Sequence, residues 1–188
     1  MRFSFTGSFF IILYFLFSIG CTYGQNGPGG IENTDGSSNL TLWLKADQNI
    51  SYNSINEVNR WFDNSGYNHH LESSTTPSLY VQDAINSLPV IEFPNDAAGL
   101  EKSGFDIGNM FSADANSIVF VKRSVSGDTW FNWQTNASNR VGFDISGSAT
   151  SFSFSSSTLN GSDQINDGYH IVSGIKTSID QYLYIDGT

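Results

Sequence analysis

Apolar residues recur at every second position over short runs of this chain, and Gly, Ser, Asn, Asp and Pro separate the runs. In Arg140–Ile145, Val141, Phe143 and Ile145 share one face while Gly142 and Asp144 take the other. In Ser151–Ser155, Phe152 and Phe154 alternate with serines. A period of two with one apolar face is what a half-buried antiparallel strand requires. Leu40–Leu44, Asn59–Asp63, Pro89–Phe93, Thr129–Gln134, Tyr169–Ile175 and Gln181–Ile185 read as further strands. Ser117–Arg123 is β-branched enough to predict a buried one. Helical periodicity is nearly absent, and its best window, Asp83–Leu88, is too short to matter. About nine or ten short strands without interleaved helices predict an all-β fold, an antiparallel two-sheet sandwich.

The first residues do not belong to that pattern. Met1-Arg2 and the apolar run Phe9–Ile19 precede Thr22-Tyr23-Gly24, a small-x-small cleavage site before Gln25. The run is too short to span a bilayer and has no stop-transfer flank, so 1–24 reads as a signal peptide and the chain as secreted rather than membrane-spanning. Cys21 is the single cysteine. Ser18-Ile19-Gly20-Cys21 loosely matches a lipobox, which makes a lipoprotein the alternative. Cleavage after Gly24 leaves no cysteine, so packing rather than disulfides must hold the fold. Residues 25–38, rich in Gly, Ser and Asn, read as a lead-in that is flexible at its start, and 39–188 as one domain.

Charge removes some function classes. The 188 residues carry 8 Lys and Arg against 18 Asp and Glu, for a formal net charge of −10. With the few basic residues scattered, nothing neutralises a phosphate backbone, so nucleic acid is not an expected partner. Glycosidases on sandwiches of this kind need two carboxylates about 5–5.5 Å apart across one bond. Here Glu32, Glu57, Glu72, Glu92 and Glu101 are isolated, and no strand carries a Glu-x-Asp-x-Glu set. No catalytic residue is therefore assigned. His69 and His70, if on a strand, point to opposite faces and make a poor metal pair, and nothing ties His170 to a nucleophile.

Two further groups have a plain and a functional reading. Asp63-Asn64-Ser65-Gly66 is first a tight turn, with Gly66 at positive φ. Asp63 with Asp47 or Asn68 also offers hard oxygen ligands for calcium, the one cofactor the sequence suggests. Trp130 and Trp133 stand at odd spacing on one strand and so face opposite ways. One is expected in the core and the other partly exposed, where it could stack on a sugar ring. Trp43 and Trp61 are expected to be core.

Several pieces, taken in order, resemble a known family. They are Gly27-Pro28-Gly29-Gly30-Ile31; Leu42-Trp43-Leu44-Lys45-Ala46-Asp47 followed by Trp61-x-Asp63-x-Ser65-Gly66-Tyr67-Asn68; Pro89-Val90-Ile91-Glu92-Phe93; and Leu183-Tyr184-Ile185-Asp186-Gly187. Together they resemble the laminin-G-like, concanavalin A-like jelly-roll domains of secreted bacterial surface proteins. The resemblance implies a jelly roll and a role in binding carbohydrate or a surface protein, or in adhesion, within a larger multi-domain chain. Family members continue past the hairpin turn at Asp186-Gly187-Thr188, so the domain is expected to be truncated there. The expected function is a non-catalytic extracellular recognition or adhesion module. A spacer domain of a larger secreted protein and, less in keeping with the isolated carboxylates, a polysaccharide-active enzyme are the alternatives.

Overall fold

The computed structural model describes residues 25–94, 98–103, 115–123, 129–136, 139–146, 149–154, 157–161 and 168–188. The expected signal peptide 1–24, with Cys21, lies outside them. The strands are β1 (Ile50–Tyr52), β2 (Val58–Trp61), β3 (Leu71–Ser73), β4 (Leu79–Ile85), β5 (Leu88–Glu92), β6 (Leu100–Glu101), β7 (Ala115–Arg123), β8 (Thr129–Asn136), β9 (Asn139–Ser146), β10 (Ala149–Phe154), β11 (Ser157–Asn160), β12 (Tyr169–Thr177) and β13 (Gln181–Ile185). A 3-10 turn at Pro28–Gly30 is the one helical element among the described residues. The protein is all-β.

The strands form four sheets, with orders β1-β2-β3-β6, β11-β10-β9-β8, β13-β12-β7 and β4-β5. Every ladder is antiparallel, and an isolated parallel bridge joins Thr76 to Ala98. The arrangement is sandwich-like. Val58, Val141, Phe152 and Val172 are fully buried and Ile185 nearly so, which places core side chains on three of the sheets. β13 lies close to β10 and β11. A Cβ at Gly161 would stand 3.2 Å from Leu183 Cδ2, so the missing side chain lets β13 approach.

Tight turns set two of the registers. β4 and β5 pair through Ile85 and Leu88, with Asn86 (φ 49°) and Ser87 (φ 60°) between them. Positive φ at both central residues is the two-residue turn whose twist matches a hairpin. Asp186 (φ 52°) and Gly187 (φ 84°) repeat it. There Ile185 and Thr188 each donate a backbone N–H to the other's carbonyl, at 3.0 and 3.1 Å. Pro89 sits in β5, which among the described residues pairs with β4 alone, and an edge strand tolerates a missing N–H.

Three expectations need correction. Leu40–Leu44 is not a strand. Its backbone is taken up by the turn at 63–65, since Trp43 N–H donates to Asp63 and Asn64 donates both its N–H and its side-chain amide to Trp43 O. Ser117–Arg123 is not buried on both faces, because Val119 and Val121 are 64% and 60% exposed while Ile118 and Phe120 turn inward. The serine face of β10 is not the solvent face: Ser151 and Ser153 are buried along with Phe152. Small hydroxyl side chains allow close cover on that side and find partners there, as Ser153 Oγ does at 3.1 Å from Thr158 Oγ1 across the ladder.

The lead-in is tied to the same turn. Asn26 Oδ1 accepts both the N–H and the hydroxyl of Thr34, at 3.0 and 2.9 Å. Gly36 N–H donates to Ser65 O, and the Tyr67 hydroxyl donates to Ser38 O. Gly66 (φ 91°) permits the contact, since a Cβ there would lie 2.3 Å from Gly36 N.

Candidate functional site

Asp63 is the hub of a folded turn. It is 8% exposed, and its carboxylate accepts four hydrogen bonds. Oδ1 takes the N–H groups of Trp43 (2.9 Å) and Ser65 (2.8 Å); Oδ2 takes Ser65 Oγ–H (2.6 Å) and His69 N–H (2.9 Å). Two donors at each oxygen fill the carboxylate. A calcium ion at Asp63 would have to displace protein donors from it. Asp47 is exposed and pairs with Lys45 at 3.6 Å. Asn68 (φ 61°) is exposed and its carbonyl accepts from Lys102 Nζ at 3.3 Å. No group of three or more His, Cys, Asp and Glu side chains among the described residues is arranged to hold a metal.

The histidines serve different neighbours. His69 and His70 lie in a loop before β3 rather than on a strand. His69 stacks on Tyr67 at 5.8 Å, and its pKa is lowered, first by burial and then by Lys102 and His70, against the raising effect of Asp63. His70 Nδ1 accepts the Asp63 N–H at 3.0 Å and its ring meets Phe62 edge-on. His170 Nδ1 lies 2.7 Å from Asp186 Oδ2. Trp43 and Trp61 are half-buried rather than core, and the Trp61 indole N–H donates to Lys45 O. Trp130 and Trp133 fall on β8, but their side chains lie outside the described residues.

Among the described residues, the surface best suited to a ligand is elsewhere. Tyr52 ends β1 at a bulge, and the chain then turns sharply around Asn53. Asn53 Oδ1 accepts the N–H groups of Ile55 and Glu57, both at 3.0 Å, while its Nδ2 donates to Glu57 Oε2 at 2.7 Å. Asn56 (φ 64°) closes the loop. An Asn side chain bonded to the backbone two residues on fixes such a turn without help from a sheet. Beyond it, Val58 N–H donates to Ser78 O and Tyr80 N–H to Asn56 O, both at 2.8 Å, so β4 is stitched to the outside of the loop.

That stitching brings Tyr80 onto Tyr52. Their rings stack with centroids 4.5 Å apart and planes 17° from parallel. Beside them opens a shallow cavity of about 300 Å³ lined by Ile55, Asn56, Leu79, Tyr80, Val81 and Gln82. Tyr52 is 41% and Ile55 67% exposed, so a rigid turn holds apolar surface out in water. Burial first, then Tyr52, Asp47 and Asp83, raise the pKa of the Tyr80 hydroxyl, which leaves it a neutral donor. The sequence offers a faint signal for this site: a tyrosine directly before Asn53-x-x-Asn56, and a second in an apolar run. Nothing in the pattern joins the two.

Comparison with known proteins found no matching family model, no matching curated protein and no matching solved structure.

Proposed function

We propose that the chain is a non-catalytic extracellular module of jelly-roll type that recognises carbohydrate, and that the Tyr52–Tyr80 stack is its sugar-contacting surface. The single observation that supports this most is the exposed ring of Tyr52 stacked on the half-buried ring of Tyr80, beside a turn with its own hydrogen bonds and an open cavity. Pyranose C–H groups carry slight positive charge and pack on the negative face of an aromatic ring. The tyrosine hydroxyls and Asn56 and Gln82 supply polar groups for the ring oxygens. Such a surface needs no change of shape to bind, so little ordering entropy opposes association. The sequence resemblance to laminin-G-like domains of secreted bacterial surface proteins supports the same reading.

Oligosaccharide arrays followed by calorimetry test it. Tyr52→Ala is expected to weaken the best-bound glycan at least about tenfold, or about 1.4 kcal/mol, with an unchanged melting temperature. Full binding by that variant removes the assignment of the site. Absence of binding to any glycan by the intact chain leaves the spacer domain as the better account.

A further inference from the structure

We propose that this site selects amino sugars in their cationic form over neutral and anionic sugars, an inference that rests on the Tyr52–Tyr80 surface being where sugar binds. The segments that build it, residues 50–58 and 78–93, contain Glu57, Asp83 and Glu92 and no Lys, Arg or His. Glu57 is committed to Asn53. Asp83 is exposed, with φ 52° at the irregularity of the β4–β5 ladder, three positions past Tyr80. Its carboxylate makes no hydrogen bond or ion pair among the described residues. Arg60, the cation nearest in the sequence and opposite Ser51 in the β1–β2 ladder, is paired with Glu72, and Lys45 is paired with Asp47.

Two independent attractions then act on a protonated sugar amine. The negative ring faces of Tyr52 and Tyr80 favour a cation above them. The carboxylate of Asp83, next in the chain to Gln82 of the cavity lining, adds Coulombic attraction, modest and salt-sensitive because the site is open to water. A uronate or sulfate group meets repulsion from both. Acetylating the amine removes the charge and leaves the pyranose face intact, so comparison of the two forms isolates charge from stacking.

The test measures binding of the full chain to glucosamine hexamer, N-acetylglucosamine hexamer and galacturonate hexamer at about pH 5.5, where the amines are protonated and the carboxylates ionised. The glucosamine hexamer is expected to bind about tenfold more tightly than the acetylated one, the ratio narrowing with added salt. Asp83→Asn is expected to cut that ratio about threefold while leaving affinity for the acetylated hexamer unchanged. Equal or tighter binding of the acetylated or uronate hexamer overturns the inference and leaves the sugar-binding reading standing. A lysine pentapeptide bound as tightly as the glucosamine hexamer also overturns it, since charge alone would then suffice. If none of the hexamers binds, or if binding survives Tyr52→Ala, it is the underlying reading that fails.

Discussion

The carboxylate of Asp63 accepts the backbone N–H of Trp43 at 2.9 Å, across twenty residues of chain. With Ser65 and His69 as its other donors, this buried group anchors the stretch before β1 to the loop before β3. Charge-assisted hydrogen bonds to a buried carboxylate are worth more than neutral ones, and donors left without an acceptor add their own desolvation cost. Asp63→Ala is therefore expected to lower unfolding stability by about 3 kcal/mol or more. Asp47→Asn, which touches only an exposed ion pair, is expected to change it by less than about 0.5 kcal/mol. Urea unfolding of the two variants checks both; equal midpoints would remove the structural role given to Asp63.

Gly66 carries the other half of that junction. Its φ of 91° suits glycine, and a Cβ there would overlap Gly36 N, Asp35 C and Thr34 O, all backbone atoms that cannot swing away. Gly66→Ala is expected to cost about 2–4 kcal/mol and to release the lead-in. Limited proteolysis should then cut within 25–40 before any other site is opened. A variant as resistant as the parent would show that the lead-in is not held through this contact.

Part of this was legible in the sequence and part was not. β9 and β13 are long enough for the period of two to show, and their observed bounds fall on or within one residue of the expected runs. Asp63-Asn64-Ser65-Gly66 reads as a turn because each residue type has a local reason to be there. Leu40–Leu44 alternates as well as either strand, yet side chains and an N–H of the turn claim its backbone, and alternation does not name a partner. The β-branched run of β7 likewise does not say which faces are covered, and Val119 and Val121 are open. β1, β3 and β6 are too short to carry a period at all. The Tyr52–Tyr80 stack depends on β4 docking against the Asn53 turn, a tertiary event with no local signature.

Acid should loosen two places in the fold. Hydrogen bonds from His170 and then from Ile171 N–H lower the pKa of the Asp186 carboxyl. A carboxyl depressed in the folded state lends stability that is complete above its ordinary value and is lost as pH falls from about 4 through the folded value. His69, lowered chiefly by burial, acts in the same direction from about pH 6.5 downward, because protonation favours the unfolded chain. Protection of the Ile171 N–H against hydrogen exchange, relative to the intrinsic rate at each pH, should fall below about pH 4, and Asp186→Asn should abolish that step. An Ile171 amide that exchanges equally fast in both proteins would argue that the contact is not formed.

β10 is covered on both faces, and its two sides should respond to substitution differently. Phe152 is 1% exposed, so Phe152→Ala removes a large ring and leaves a cavity, a loss of about 3–5 kcal/mol. Ser153 is wholly buried beside Thr158 Oγ1. Ser153→Ala deletes the hydrogen bond to Thr158 at a cost of about 1 kcal/mol, whereas Ser153→Val adds volume where the cover is close and should cost about 1–3 kcal/mol. On a strand with one face in solvent, valine would be harmless or stabilising, because β-branched side chains suit exposed strand positions. Chemical unfolding of the three variants thus discriminates between the two arrangements. A Ser153→Val protein at least as stable as the parent would mean that the serine face is open to water after all.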